Sequence, residues 1–157
     1  MANPSSKLAL GEPDSFIRSI LDHDRLMTPT LQGMFGEIVA RQTDGVETDT
    51  TYTRISAIFT HPGNRRLLDA RLEIDKSLVP DDLVEALRTT ATPFGQLLRD
   101  FEIEAQSAER VLFKTLDRNT ERERWGRRHS IVAQATGKRL CRIEELLLPE
   151  EDLPPVI

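Results

Sequence analysis

Hydrophobic and polar positions change their period along this chain, and each change marks an element. Phe16, Ile17, Ile20 and Leu21 follow the spacing of one helix face, and Asp14 stands where a cap is needed, so a helix is expected from Asp14 to about His23. A second short helix is expected from Thr30 to Phe35, ended by Gly36. From Glu37 the period falls to two. β-Branched and apolar residues alternate with polar ones over 37–43 and 50–60, which predicts strands. His61-Pro62-Gly63-Asn64 carries turn chemistry, and Leu67 to Ile74 then returns as the antiparallel partner.

Beyond this hairpin, Pro80-Asp81-Asp82 opens a helix with Leu83, Val84 and Leu87 on its inward stripe. Thr92-Pro93-Phe94-Gly95 interrupts it, and Gln96 to Asp100 adds a further helical turn. Phe101 to Leu116 fits either period: Phe101, Ile103 and Ala105 alternate, while Ala108, Val111 and Leu112 suit a helix. Ser130 to Ala135, a turn at Thr136-Gly137-Lys138 and Leu140 to Leu148 form a second hairpin. Two hairpins interleaved with helices predict an α+β domain, a single antiparallel β-sheet with helices packed on it.

With 157 residues, 38% of them hydrophobic, the chain supports one core and not two. The expected division is a flexible leader over 1–13, one domain over 14–150 and an acidic, Pro-rich tail over 151–157. Twenty-one Lys plus Arg against 26 Asp plus Glu leave a net charge of -5, which argues against a nucleic-acid partner. No uncharged stretch approaches the ~20 apolar residues of a bilayer span, and the start of the chain lacks a signal peptide's apolar core. A cytoplasmic protein without a membrane partner is therefore expected, with a monomer favoured. The single cysteine, Cys141, and three scattered histidines offer no ligand set at zinc spacing, so no metal is expected.

Glycine-rich phosphate loops, nucleophile elbows and paired histidines are all missing from the sequence. What remains are ionisable residues inside segments that ought to be half buried: Arg54, Arg71, Glu144 and Glu145. If Arg54 shares the face of Tyr52 and Ile58, its guanidinium points into the core and requires an anion, for which a ligand carboxylate is one solution. The alternatives are a surface arginine or an internal ion pair. On a two-residue period Glu145 falls with Ile143 and Leu147, and an apolar setting would raise its pKa and suit it to proton transfer. One of Glu144 and Glu145 must point outward. Trp125-Gly126-Arg127-Arg128-His129 reads as a basic knot able to grip an anion or, more ordinarily, as a solvated strand entry anchored by its tryptophan. Cys141 reads as a small core residue.

Four signatures, taken in order, resemble the chorismate pyruvate-lyase family, which makes 4-hydroxybenzoate. They are Arg25-Leu26-Met27-Thr28; Arg54 on one strand with Arg71 on the next; Thr92-Pro93-Phe94-Gly95-Gln96-Leu97-Leu98; and Trp125-Gly126-Arg127-Arg128 followed by Thr136-Gly137-Lys138 and Glu145-Leu146-Leu147-Leu148-Pro149. The similarity spans about residues 14 to 150, and its last segment is the most specific. It implies a chorismate lyase-like fold with helical flaps over an internal ligand pocket, and a lyase that releases pyruvate from chorismate without a cofactor. By resemblance, Arg54 and Glu145 carry the catalytic roles and Met27 and Phe94 lie in the closing flaps. Arg71 and Arg128 are further expected substrate contacts.

The segments before Gly137 and before Glu145 are longer than in the family's best-matching form, which keeps Glu144 as a rival for the glutamate role. Phe94 is bulkier than the family's usual aliphatic residue. Two alternatives share the fold: a cyclase or lyase acting on another carboxylate, and a sensing domain of a transcription regulator. The latter normally follows a helix-turn-helix, for which the residues before Asp14 leave no room.

Overall fold

The structure, a computed structural model, describes residues 12–117 and 119–157. The leader expected over 1–13 thus lies, as far as residue 11, outside the described residues. Among those described, the chain runs α1 (Ser15–Leu21), α2 (Met27–Phe35), β1 (Ile38–Glu47), β2 (Thr51–Thr60), β3 (Arg66–Asp75), α3 (Asp81–Thr89), α4 (Phe94–Asp100), β4 (Ala105–Leu116), β5 (Glu123–Ala133) and β6 (Arg139–Leu147), with single 3-10 turns at Lys76–Leu78 and Glu150–Asp152. Strand order is β1-β2-β3-β6-β5-β4, antiparallel at every pairing. This is the expected α+β architecture.

Asp14 caps α1 as the sequence indicates, its Oδ1 accepting from the Ile17 amide at 2.9 Å. Helix α2 begins three residues earlier than the periodicity predicts, at Met27. The first-turn position of Pro29 explains the difference, because a proline there forfeits only an amide that no helix could satisfy. The ambiguous stretch before Leu116 resolves as β4, and β5 starts at Glu123 rather than Ser130. Both corrections have one cause: β4 and β5 pair from Ala105↔Ala133 to Leu116↔Glu123, and that ladder overrides the weak local signal.

All four helices lie against one face of the sheet, and the register fixes which side chains meet them. One rung of the inner face carries Ser56, Ala70, Glu145 and Arg127 across β2, β3, β6 and β5; its neighbour carries Arg54, Leu72, Ile143 and His129. Two apolar clusters flank these rungs. Ile17, Ile20, Leu21, Leu31 and Leu147 form one beneath α1 and α2, and Leu83, Leu87, Leu98 and Ile131 belong to the other beneath α3 and α4.

Cys141 belongs to the second cluster, where burial drives its thiol pKa well above the ordinary range. The native protein is therefore expected to leave a disulfide thiol reagent unreacted, and to release one thiol equivalent upon denaturation.

Candidate functional site

Between the two clusters the inner face is not filled. A cavity of about 50 Å³ remains, floored by Arg54, Ser56, Ala70, Ile143 and Glu145 and roofed by Met27, Thr28 and Leu31 of α2 with Phe94 and Gly95 of α4. At roughly 10–15 Å³ per water it holds only a few solvent molecules, so the roof stands closed. Both roof helices begin over the cavity, placing the first turns at Met27 and Phe94 along its wall. The sequence-predicted residues Arg54, Glu145, Met27 and Phe94 therefore meet in one place.

Arg54 is buried, at 3% exposure, and has no carboxylate partner among the described residues. Its Nε lacks any hydrogen-bond partner, and Nη1 reaches only the Thr92 carbonyl at 3.5 Å. Burial pushes its pKa down to about 10, slightly opposed by Tyr52, so the guanidinium stays charged near neutral pH. A cation in such a setting is costly unless an anion joins it.

Glu145 is buried too, but its situation reverses the expectation of a raised pKa. Burial is the largest single influence and does push the pKa up. The Arg127 charge and the hydrogen bond from His129 outweigh it and bring the carboxyl down to about 2. Arg127 Nε donates to Glu145 Oε1 at 2.7 Å, and His129 Nε2 lies 2.7 Å from the same oxygen. Ser107 Oγ continues the chain, 2.8 Å from His129 Nδ1. Glu145 is accordingly an ionised acceptor and not a poised acid. Among the described residues Oε2 receives no hydrogen bond, which leaves one carboxylate oxygen available at the cavity.

Arg71 and Arg128 are not part of this arrangement. Odd and even positions of a strand face opposite ways, and both arginines share the outer face with Glu144, their cross-strand neighbour on β6. Arg128 Nε donates to Glu144 Oε2 at 3.1 Å, and its guanidinium lies over the Phe113 ring. The same alternation turns Glu145 inward and Glu144 outward.

Ser56 is a cavity residue that the sequence does not single out, and Arg127 and His129, which it offers only as members of a basic knot, lie on the cavity side of β5. The knot from Trp125 to His129 is strand interior rather than a solvated entry, and the anion it grips is internal. A usable signal was present: stepping back by twos from Ala133 and Ile131 reaches His129 and Arg127, so both fall on the core stripe.

The two roof helices touch at a glycine. A Cβ on Gly95 would stand 2.5 Å from Thr28 Oγ1 and 2.7 Å from Thr28 Cβ, closer than packed atoms tolerate. Gly95→Ala is expected to force α2 and α4 apart and cost about 1–3 kcal/mol. A lower thermal midpoint together with increased binding of a hydrophobic dye would register both effects.

No protein-family model matches the chain, and no curated protein matches its sequence. Solved structures do resemble it. A gene product of Staphylococcus aureus superposes with a TM-score of 0.54 at 9% identity, covering 82% of this chain and 90% of that one. The ligand-binding domain of a candidate GntR-family transcriptional regulator from Bordetella bronchiseptica gives 0.52 at 10% identity, over 74% of this chain and 88% of that one. A structure described as a possible transcriptional regulator from Bacillus subtilis gives 0.50 at 9% identity, and there 76% of this chain spans 60% of the other. None of the described helices is long and apolar enough to cross a membrane. The likenesses establish the architecture, which is the chorismate lyase-like fold that ligand-binding domains of regulators also use.

Proposed function

We propose that the cavity binds a small cyclic carboxylate and that the chain uses it to eliminate pyruvate from chorismate. The buried, unpaired guanidinium of Arg54 carries this reading. Hydrogen bonds from such a group to a ligand carboxylate contribute about 1.5–3 kcal/mol, and more where water is excluded. First-turn amides at Met27 and Phe94 add donors that their own helices leave unused. Across the floor, ionised Glu145 accepts the hydrogen of a ring hydroxyl through Oε2.

The chemistry asks for little more. The ether bond between ring and enolpyruvyl group breaks, the hydrogen on the neighbouring hydroxyl-bearing carbon departs, and the ring becomes aromatic. The enolpyruvyl fragment gains one hydrogen and leaves as pyruvate, so the sum is redox-neutral and calls for no cofactor. Holding the substrate in a reactive conformer is then the protein's main contribution. Entry of a ring into so small a space requires α2 and α4 to part, and the Gly95–Thr28 contact is the seam that opens.

The test is a spectrum of purified protein mixed with chorismate. Appearance of 4-hydroxybenzoate with an equal amount of pyruvate, lost in Arg54→Ala, is the expected result; stable chorismate overturns the lyase assignment. The regulator domains among the structural neighbours motivate a second reading, in which the cavity senses a carboxylate without turnover. It predicts thermal protection by the ligand and no product.

A further inference from the structure

Arg127 is fully enclosed, at 0% exposure, and takes no direct part in the elimination chemistry. Its donors face two ways. Nε donates to Glu145 Oε1 at 2.7 Å, toward the cavity floor. Nη1 donates to the His23 carbonyl at 3.0 Å and more weakly to the Leu21 carbonyl at 3.5 Å, and Nη2 donates to the Arg25 carbonyl at 3.2 Å. Those three carbonyls belong to the segment that ends α1 and delivers the chain to Met27, where the roof begins.

We propose that Arg127 is a positioning residue that couples the carboxylate on the cavity floor to the segment on which roof helix α2 stands. A planar guanidinium holds its donors in fixed relative directions, so a shift of Glu145 Oε1 that turns the plane must disturb the carbonyl bonds on its other edge. The two arrangements are thereby linked. A ligand that fixes Glu145 also steadies the approach to α2, and a displaced α2 segment weakens the hold on Glu145. The value of this to catalysis rests on the ligand reading above, whereas the coupling itself does not require a ligand.

The segment is also tied from outside. Arg110 bonds Asp22 and Asp24, and the Ser107 amide donates to the Asp24 carbonyl at 2.9 Å. These contacts hold its outer side, while Arg127 joins its carbonyls directly to the carboxylate on the floor. A substitution at Glu145 touches none of the 21–25 backbone, so an effect there travels through Arg127 or along His129 and Ser107 to the Asp24 carbonyl; the amides of Asp22 and Arg25 lie on the Arg127 side and that of Ser107 on the other.

Hydrogen exchange on the ligand-free chain decides the matter. The amides of Asp22, Arg25 and Ser107 report the segment, and those of Ala57 and Leu68 in the β2–β3 ladder serve as the reference. Glu145→Asp draws the carboxylate back by one methylene while keeping its charge, and is expected to speed exchange at the three reporters about tenfold relative to the reference. Arg127→Lys keeps the cation but loses the fork, and should give the same pattern. Glu145→Gln is the stronger variant, and Glu145→Asp keeps the test open should it not fold. Unchanged exchange at 22, 25 and 107 in Glu145→Asp overturns the coupling, as does an increase matched equally at Ala57 and Leu68. If the coupling holds and 4-hydroxybenzoate then adds no protection at the reporters in the native chain, the ligand reading fails and the coupling survives.

Discussion

Arg54→Met is expected to make the protein more stable and unable to bind a carboxylate. The guanidinium is buried with Nε unsatisfied, one long bond to the Thr92 carbonyl and no counter-ion among the described residues, so the empty protein carries a largely uncompensated buried charge. Methionine retains most of the volume and none of the charge. Replacing buried ionic groups by apolar ones of similar size stabilises by about 1–4 kcal/mol in measured cases, and each kilocalorie moves the midpoint of a domain this size by about 2–4 °C. A thermal midpoint several degrees above the native chain's, with carboxylate binding abolished, is the predicted pair of outcomes. A midpoint that falls would mean that Arg54 has a structural partner after all.

Glu145→Leu should do the opposite. Removing the carboxylate strands Arg127, which is fully enclosed, and takes away the acceptor that His129 faces. Breaking a buried pair in this way costs about 3–5 kcal/mol, a large share of the roughly 5–15 kcal/mol by which domains are ordinarily stable. Acid should have a graded version of the same effect. The folded carboxyl sits at about 2, below its usual value of 4.5, so its stabilising contribution is fully present above pH 4.5 and is lost as pH falls toward 2. Chemical denaturation at pH 7, 4.5 and 3 is expected to show the native protein weakening steeply across the lower interval. A flat response there, or a Glu145→Leu chain as stable as the native one, would remove the ionised carboxylate from the account.

These two arginines differ although the sequence presents them alike. Period-two alternation offers the face of Tyr52 and Ile58 to Arg54 without deciding for it, and groups Glu145 with Ile143 and Leu147; the register of the sheet turns both inward. Both hairpins and the helix caps are legible, because local spacing and turn chemistry encode those features. The same alternation turns Arg71, next to Leu72, and Arg128, three residues before Ile131, outward, against the expectation that they contact substrate. The charge state of Glu145 was beyond local reading altogether. It depends on a residue 18 positions away that register brings alongside, and no window of sequence reveals register across a sheet. The same holds for β4, which the spacing of apolar residues leaves undecided and its pairing with β5 settles.

The roof is intelligible in similar terms. Thr92-Pro93-Phe94-Gly95 reads locally as a helix interruption; only Thr92 and Pro93 lie in the break, and Phe94 and Gly95 already open α4. That Gly95 is also the contact point with Thr28 follows only from the fold, which lays two helices starting over one cavity against each other. Small residues at such crossings let backbones approach closely, and under the proposed ligand reading the resulting seam is where a ring would enter.

The most direct test of the central claim is a calorimetric titration that compares 4-hydroxybenzoate with 4-hydroxybenzamide, which has nearly the same shape and no charge. If Arg54 awaits an anion, the acid binds at least tenfold more tightly than the amide, and Arg54→Met abolishes the difference. Equal affinities, or a difference that survives Arg54→Met, would contradict it.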